Sequence, residues 1–130
     1  MKEWTKKDIG NLGEQKAVNY LRLRGYTVKE RNWFAGKHEI DIVAATLRDI
    51  VFVEVKTRTY DEKSWQDAPP PGLAVHGDKQ SYTRSAARAY LYLHPTKKQP
   101  RMDVIEVWLT KPFNHKRPKL LRINHIKAAY

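Results

Sequence analysis

One short segment, Ile50–Lys56, constrains the fold of this chain more than any other. Its valines alternate with Phe52, Glu54 and Lys56, which is the two-residue period of a β-strand. The valines therefore share one face of the strand, and the opposite face changes from apolar to charged along its length. The preceding segment His38–Ala45 is also rich in β-branched residues. Because only a short link separates the two segments, they are expected to form an antiparallel hairpin.

The rest of the chain alternates helical and extended patterns. Apolar residues at helical spacing predict two helices, over residues 9–24 and 78–93. The face that the second helix is expected to bury carries Tyr82, Ala86, Ala89 and Leu93. Further strands are predicted over residues 26–32, 102–109 and 120–124. Residues 59–77 are polar and rich in proline, so a loop without helix or strand is predicted there.

Length and composition indicate how many domains these elements build. A chain of 130 residues with 41% hydrophobic residues and four tryptophans is long and apolar enough for one buried core. The prediction is a single α/β domain over residues 1–130, with a core of about residues 8–110 and a basic C-terminal segment, 111–130.

The charge of the chain favours a polyanionic partner. Its 25 Lys and Arg outnumber its 14 Asp and Glu, and no acidic residue follows Glu106. A formal charge of +11 suits nucleic acid, although a soluble cationic surface or an acidic protein partner would also explain it. The chain contains no cysteine, no apolar run of bilayer length and no signal-peptide pattern. A cytoplasmic protein that is not inserted in a membrane is expected.

Two acidic side chains are expected to meet in the predicted hairpin. Ile40 and Ile42 are expected to share the apolar face of the earlier strand. Asp41 between them, and Glu39 before them, then point to the opposite face. Pairing of the two strands can bring Asp41 beside Glu54. Like charges at that distance destabilise the sheet unless something neutralises them.

A divalent cation would neutralise this pair. Asp41, Glu54 and the carbonyl oxygen of Val55 could hold Mg²⁺ or Mn²⁺, both of which prefer oxygen ligands. Lys56 would then position a water molecule or neutralise a phosphodiester transition state beside the cation. The alternative is a solvent-facing pair of strands, in which Glu54 and Lys56 are ordinary surface charges.

Short motifs along the first 110 positions extend this interpretation. They include Gly10-Asn11-Leu12-Gly13-Glu14, Gly25-Tyr26, Arg31-Asn32, Glu39-Ile40-Asp41, Phe52-Val53-Glu54-Val55-Lys56-Thr57-Arg58 and Arg101-Met102-Asp103-Val104. In this order they resemble the YraN-like family of predicted endonucleases. The resemblance implies a restriction-endonuclease-like fold, with a mixed central sheet flanked by helices. It also implies a PD-(D/E)XK-type site similar to that of archaeal Holliday-junction resolvases.

The resemblance also implies roles for individual residues. Asp41 and Glu54 become the metal-binding acids, and Lys56 becomes the catalytic lysine. Glu14 resembles an additional helix carboxylate near the metal. One position departs from the family pattern, because His38 stands where glycine is usual.

Other polar residues have less specific expected roles. Glu39 is expected either to assist Asp41 or to stabilise the hairpin through a hydrogen bond or ion pair. Arg58, Lys79 and Gln80 are expected either to contact phosphates or to remain solvated. In the basic C-terminal segment the expected nucleic-acid contacts are Lys116, Arg117 and Lys119.

Three functions follow from these observations. The first is a Mg²⁺- or Mn²⁺-dependent endonuclease that hydrolyses phosphodiester bonds in DNA, with branched or flapped DNA as one substrate class and RNA as an alternative. The second is a non-catalytic nucleic-acid-binding module with the same fold. The third is a basic adaptor for an acidic protein. A homodimer is compatible with the first of these.

Overall fold

The fold is built from two long helices and five strands. A computed structural model describes residues 3–69 and 77–130. The helices are α1, Lys6–Leu23, and α2, Gly77–Leu93, and the strands are β1, Thr27–Ala35; β2, His38–Ala45; β3, Asp49–Tyr60; β4, Gln99–Thr110; and β5, Leu120–Ile126. Within the predicted loop, β3 continues to Tyr60 and a short 3₁₀ turn forms at Trp65–Asp67, while residues 70–76 lie outside the described part.

The strands form one mixed sheet in the order β1-β2-β3-β4-β5. Neighbouring strands are antiparallel except β3 and β4, which run parallel from Asp49↔Gln99 to Tyr60↔Thr110. A parallel pair requires a crossover connection, and α2 lies in the one between β3 and β4. The predicted fold class is therefore confirmed, and the architecture is consistent with a restriction-endonuclease-like fold. In the described part of the chain, no helix is long and apolar enough to span a membrane.

Helix α1 begins and ends at recognisable sequence signals. Thr5 Oγ1 accepts a hydrogen bond from the Asp8 backbone amide at 3.1 Å, and Asp8 Oδ2 accepts one from the Thr5 amide at 3.0 Å. This reciprocal pair satisfies two amides that helix geometry leaves without a partner. At the other end, Gly25 has a φ of 88°, a left-handed conformation in which glycine avoids the steric cost of a side chain.

Each face of the sheet carries its own hydrophobic cluster. The cluster beneath α1 includes Leu12, Ala17, Val18, Leu21, Ile42, Val51, Val53, Ile105 and Val107. The cluster beneath α2 includes Ile40, Val43, Phe52, Ala86, Ala87 and Tyr90. Both faces of the sheet are thus covered: α1 packs mainly on β3 and β4, and α2 packs mainly on β2 and β1.

The predicted shared face of Ile40 and Ile42 is wrong. Ile42 belongs to the cluster beneath α1, and Ile40 belongs to the cluster beneath α2. The side chains of β2 stop alternating regularly between the two faces at Asp41. On the paired strand β1, Asn32 lies between Arg31 and Trp33, the partners of Ile42 and Ile40. Asn32 has a φ of 50°, so its backbone is left-handed and cannot continue a regular extended pleat.

A buried polar cluster fastens β5 and the following turn to the sheet. Asp103 is fully buried and accepts hydrogen bonds from His125 Nε2 at 2.6 Å, from Arg101 Nη2 at 2.8 Å and from the Ala128 amide at 3.0 Å. Burial by itself raises the pKa of Asp103, but these donors more than offset it, and the pKa lies below its usual value. The C-terminal segment is therefore part of the sheet layer.

Helix α1 and β3 approach each other closely at Gly13. A Cβ atom at this position would overlap the side chain of Thr57. The missing side chain lets the helix backbone lie against the strand, which fixes the height of the next residue, Glu14, above the sheet.

We expect Gly13→Ala to lower the free energy of unfolding by about 1 to 3 kcal/mol, because the added methyl must displace α1 or Thr57. Thr57→Ala should rescue it in part, since the Thr57 Oγ1 and Cγ2 atoms are removed but its Cβ remains within 2.8 Å of the new methyl. Urea unfolding of the single and double variants measures this coupling. Gly10→Ala is the matched control, because nothing lies within 4 Å of a Cβ there. Equal effects of the two glycine substitutions would contradict the close approach.

Candidate functional site

A concave site forms where β2 and β3 separate. Backbone pairing of the two strands runs from Ala45↔Ile50 to Ile42↔Val53. One residue further, Asp41 Oδ2 accepts a hydrogen bond from the Val55 amide at 2.8 Å. Beyond this point β2 stays paired with β1 and β3 stays paired with β4. A side-chain carboxylate thus bonds to the β3 amide at the point where the two strands part.

The space beside Asp41 is an acidic pocket of about 370 Å³. Four secondary-structure elements contribute to its wall, which consists of Gly10, Asn11, Glu14, Asn32, Glu39, Asp41, Val55 and Thr57. We call this space the acidic pocket. Three of its side chains are carboxylic acids and none is a lysine or arginine.

Asp41 is the most perturbed acid of the pocket. Burial is the largest cause, the hydrogen bond from Val55 opposes it, and the nearby charges of Glu39, Glu14 and Glu54 add to it. Together they raise the pKa of Asp41 from 3.8 to about 7. Near neutral pH this carboxyl therefore exchanges a proton, and a cation in the pocket would favour its ionised form.

Glu14 lies in the acidic pocket with its own partners. Its Oε1 atom accepts hydrogen bonds from Arg31 Nε at 3.3 Å and from Asn32 Nδ2 at 3.0 Å. The Glu14 side chain is only 13% exposed, whereas Arg31 is 37% exposed. These contacts join α1 to the irregular point of β1 and hold the Glu14 carboxylate towards the pocket.

Glu54 and Lys56 do not line the acidic pocket. Val53 packs in the cluster beneath α1 and Phe52 in the cluster beneath α2, so alternation directs Glu54 and Lys56 to the α2 face. Glu54 is nevertheless close enough to Asp41 to raise its pKa. Burial raises the pKa of Tyr130, and the charges of both Glu54 and Asp41 add to that shift. The charges of Glu54 and Asp41 therefore both reach Tyr130, although Asp41 lines the acidic pocket and Glu54 does not.

Lys56 lies beside a buried acid that the sequence analysis did not identify. In the parallel register Lys56 pairs with Glu106 of β4, which is 1% exposed. Glu106 Oε1 accepts a hydrogen bond from Trp108 Nε1 at 2.9 Å and lies 3.4 Å from Arg58 Nε. Arg58 is thus held by an ion pair rather than simply solvated. A glutamate flanked by apolar residues, Val104-Ile105 before it and Val107-Trp108 after it, was the available sequence signal.

The remaining predicted positions fall elsewhere. His38 stacks on Tyr82 of α2, with ring centroids 4.5 Å apart, and its φ is not positive, so glycine's freedom is not needed there. Gln80 lies in the first turns of α2, partly exposed, and the Lys79 side chain is outside the described part. Three basic residues, Lys116, Arg117 and Lys119, line a second groove away from the acidic pocket.

The donor chemistry of the acidic pocket suits a hard cation. Carboxylate and carbonyl oxygens are the ligands that Mg²⁺ and Mn²⁺ prefer. The raised pKa of Asp41, caused first by burial, also includes contributions from the negative charges of Glu39, Glu14 and Glu54. Within residues 3–69 and 77–130, no three His, Cys, Asp or Glu side chains are already grouped as a metal site. A cation would therefore need backbone or water oxygens, or a rotated Glu14 or Glu54 side chain, to complete its coordination.

The fold and this pocket define an α/β protein of restriction-endonuclease-like architecture with an acidic site where two strands separate. The sequence matches the model of the uncharacterised protein family UPF0102 over residues 13–107, and the chain belongs to this family. A UPF0102 protein of Caldanaerobacter subterraneus is 38% identical over 131 aligned residues, covering 100% of both chains. One from Chlorobium phaeobacteroides is 36% identical, covering 95% of this chain and 94% of the relative. Neither name states an activity.

We expect Asp41→Asn to raise the free energy of unfolding above neutral pH. The folded-state pKa of about 7 exceeds the ordinary value of 3.8, so the folded protein binds more protons between these values and loses stability as pH rises through them. Asparagine removes the charge and keeps an oxygen for the Val55 amide. The gain should be on the order of 2 kcal/mol at about pH 8 and should shrink at about pH 4.

Urea unfolding in EDTA at both pH values measures this difference. Asp67→Asn is the matched control, because Asp67 is exposed and lies outside the acidic pocket. An Asp41→Asn variant that is less stable than wild type at the higher pH would contradict the assigned cause of the shift.

Proposed function

We propose that this protein is a divalent-metal-dependent nuclease that hydrolyses phosphodiester bonds in DNA. The observation that carries the proposal is Asp41, a half-buried acid whose pKa is raised to about 7 by burial and by three neighbouring glutamates. Surplus negative charge concentrated in one concave pocket destabilises a fold, and such an arrangement is typical of functional sites. The formal charge of +11 on the whole chain supports a polyanionic substrate.

The residues proposed to hold Mg²⁺ or Mn²⁺ are Asp41, Glu54 and the carbonyl oxygen of Val55, with Glu14 as an additional ligand. When bound, the cation would lower the pKa of a water molecule and stabilise charge on the phosphate oxygens. Glu39 faces the same pocket and is proposed to adjust its charge. Because Asp41 must lose its proton to bind a cation, metal affinity should increase as pH rises through about 7.

The protein's own side chains have separate roles in this proposal. The Val55 amide fixes the orientation of Asp41, as its 2.8 Å hydrogen bond indicates. Lys56 lies outside the acidic pocket and is proposed to reach the phosphate through the gap between β2 and β3. There it would neutralise charge that develops on the phosphate and orient the attacking water. Arg58, held beside the buried Glu106, is proposed to contact a neighbouring phosphate. RNA as the substrate and a homodimer as the active form stay predictions.

One observation favours a second candidate, a non-catalytic nucleic-acid-binding module. Glu14 is already bonded to Arg31 and Asn32, so its carboxylate would have to exchange partners to reach a metal. In such a module the acidic pocket would serve only to orient α1 against β1. Such a module would bind DNA with an affinity that falls steeply with salt, and it would cut none with either metal.

We expect wild-type protein with Mg²⁺ or Mn²⁺ to cut at least one member of a panel of end-labelled single-stranded, duplex, flapped and four-way-junction DNAs. Asp41→Asn and Lys56→Gln should each lower the cleavage rate on the order of 100-fold, because each removes a group that acts on the transition state. Mn²⁺ should also raise the melting temperature of wild type, but not of Asp41→Asn. Asp67→Asn again serves as the control and should behave as wild type.

The outcomes separate the candidates. Equal cleavage by wild type and Asp41→Asn would contradict the proposed site. If wild type binds DNA tightly but cuts nothing with either metal, and Mn²⁺ leaves its melting temperature unchanged, the non-catalytic module is the correct function. If wild type retains no DNA in low salt, a protein partner becomes the better explanation of the charge.

A further inference from the structure

A rigid tight turn presents an aromatic side chain at one edge of the sheet. Phe113 is 70% exposed, and the Lys116 amide donates a hydrogen bond to the Phe113 carbonyl at 2.9 Å. Between them, Asn114 and His115 have φ values of 50° and 57°. Two consecutive left-handed residues are characteristic of a tight type I′ turn, which has little conformational freedom. Trp4 Nε1 also donates to the His115 carbonyl at 3.4 Å, which ties the turn to the segment before α1.

A basic groove lies directly beside this turn. It has a volume of about 680 Å³ and runs between residues 61–63, after β3, and residues 110–119, before β5. Its wall includes Phe113 and five cationic side chains, Lys63, Lys111, Lys116, Arg117 and Lys119. We call it the basic groove.

The basic groove keeps a positive balance after its acids are counted. Asp61 and Glu62 also line it. Glu62 lies 3.3 Å from Lys119 in an exposed ion pair, and Asp61 accepts a hydrogen bond from the Lys63 amide at 2.8 Å. Each acid is thus engaged within the wall, and the cations outnumber them. Phe113 therefore presents an exposed aromatic ring beside a surface with a net positive charge.

We propose that the basic groove and Phe113 bind a single-stranded segment of nucleic acid, with one unpaired base stacked on the Phe113 ring. Single-strand binding sites combine a positive groove for the phosphates with exposed aromatic rings for the bases. A paired base offers no free face to such a ring, so the turn distinguishes unpaired from duplex DNA. This inference deepens the proposed nuclease function by naming its substrate class, DNA that contains both an unpaired stretch and the scissile bond.

The basic groove lies a short way along the chain from Lys56, which is proposed to act on the scissile phosphate. Strand β3 carries Lys56 and leads directly to Asp61, five positions later at the rim of the basic groove. At about 3.3 Å per residue this is roughly 17 Å.

Binding assays in EDTA test this inference separately from the proposed activity, because no cleavage takes place without divalent cations. The probes are a fluorescent single strand of about 16 nucleotides and a blunt duplex of the same length. Phe113→Ala should weaken single-strand binding at least about fivefold and duplex binding less than about twofold. Phe113→Trp should retain single-strand binding, because it preserves an aromatic face. Leu47→Ala is the matched control, since Leu47 is 93% exposed in the turn between β2 and β3.

A salt titration tests the binding of phosphates by the basic groove. Replacing Lys116 and Arg117 together by glutamine should reduce the slope of log affinity against log salt by about 0.7 for each phosphate that the variant no longer neutralises. The paired replacement Arg48→Gln and Lys97→Gln, away from the basic groove, is the control and should reduce the single-strand slope less.

Several results would overturn the inference. One is that wild type fails to bind the single strand in low salt. The others concern Phe113→Ala: single-strand and duplex binding weaken equally, or neither weakens. Conversion of a wild-type dimer into a monomer by Phe113→Ala, measured by sedimentation, would instead assign the exposed ring to a second copy of the chain. Cleavage of blunt duplex DNA as fast as DNA with an unpaired stretch would overturn the assigned substrate class.

Discussion

The hydrogen bond from the Val55 amide to Asp41 Oδ2 determines the layout of the site. In a regular ladder a backbone carbonyl would accept from this amide, and β2 and β3 would continue side by side. A carboxylate in that position satisfies the amide while the two strands diverge, and it brings a negative charge into a poorly solvated gap. Burial together with three neighbouring glutamates then raises the pKa of Asp41 to about 7. The strand gap and the unusual acid are therefore two results of one interaction.

The acidic pocket also depends on how closely α1 approaches the sheet. Gly13 allows the helix backbone to lie against Thr57, and Glu14 then reaches Arg31 and Asn32 of β1. The opposite half of the sheet is fastened by the buried Asp103 with its three donors. The pocket is thus bounded by elements that are fixed at several points, which suits a site that must orient a ligand.

Much of the fold, but less of the site, could be predicted from the sequence. The β-branched period of two and the glycine after α1 gave the order and type of the elements, because these signals are local. The facing of Ile40 and Ile42 was wrong, because β2 loses its regular alternation at Asp41, beside the part of β1 where Asn32 has a left-handed backbone. The predicted buried face of α2 was also wrong in part, because Tyr82 and Leu93 are exposed. The structure instead buries Thr83, Ala86, Ala87 and Tyr90, and the small side chains among them let the helix approach the sheet. Such shifts arise from tertiary packing and leave no local sequence signal.

Two surfaces of opposite charge separate the proposed binding of nucleic acid from its proposed hydrolysis. The chain carries a formal charge of +11, yet three acids line the acidic pocket, whereas four lysines and one arginine outnumber two acids in the basic groove. A phosphate is attracted to the second surface and repelled by the first. Under the proposed function, a divalent cation removes that local repulsion at the same place where it supplies the chemistry. Affinity for nucleic acid then arises from the basic groove and persists without metal, and the metal requirement belongs to the step in which the scissile phosphate enters the acidic pocket.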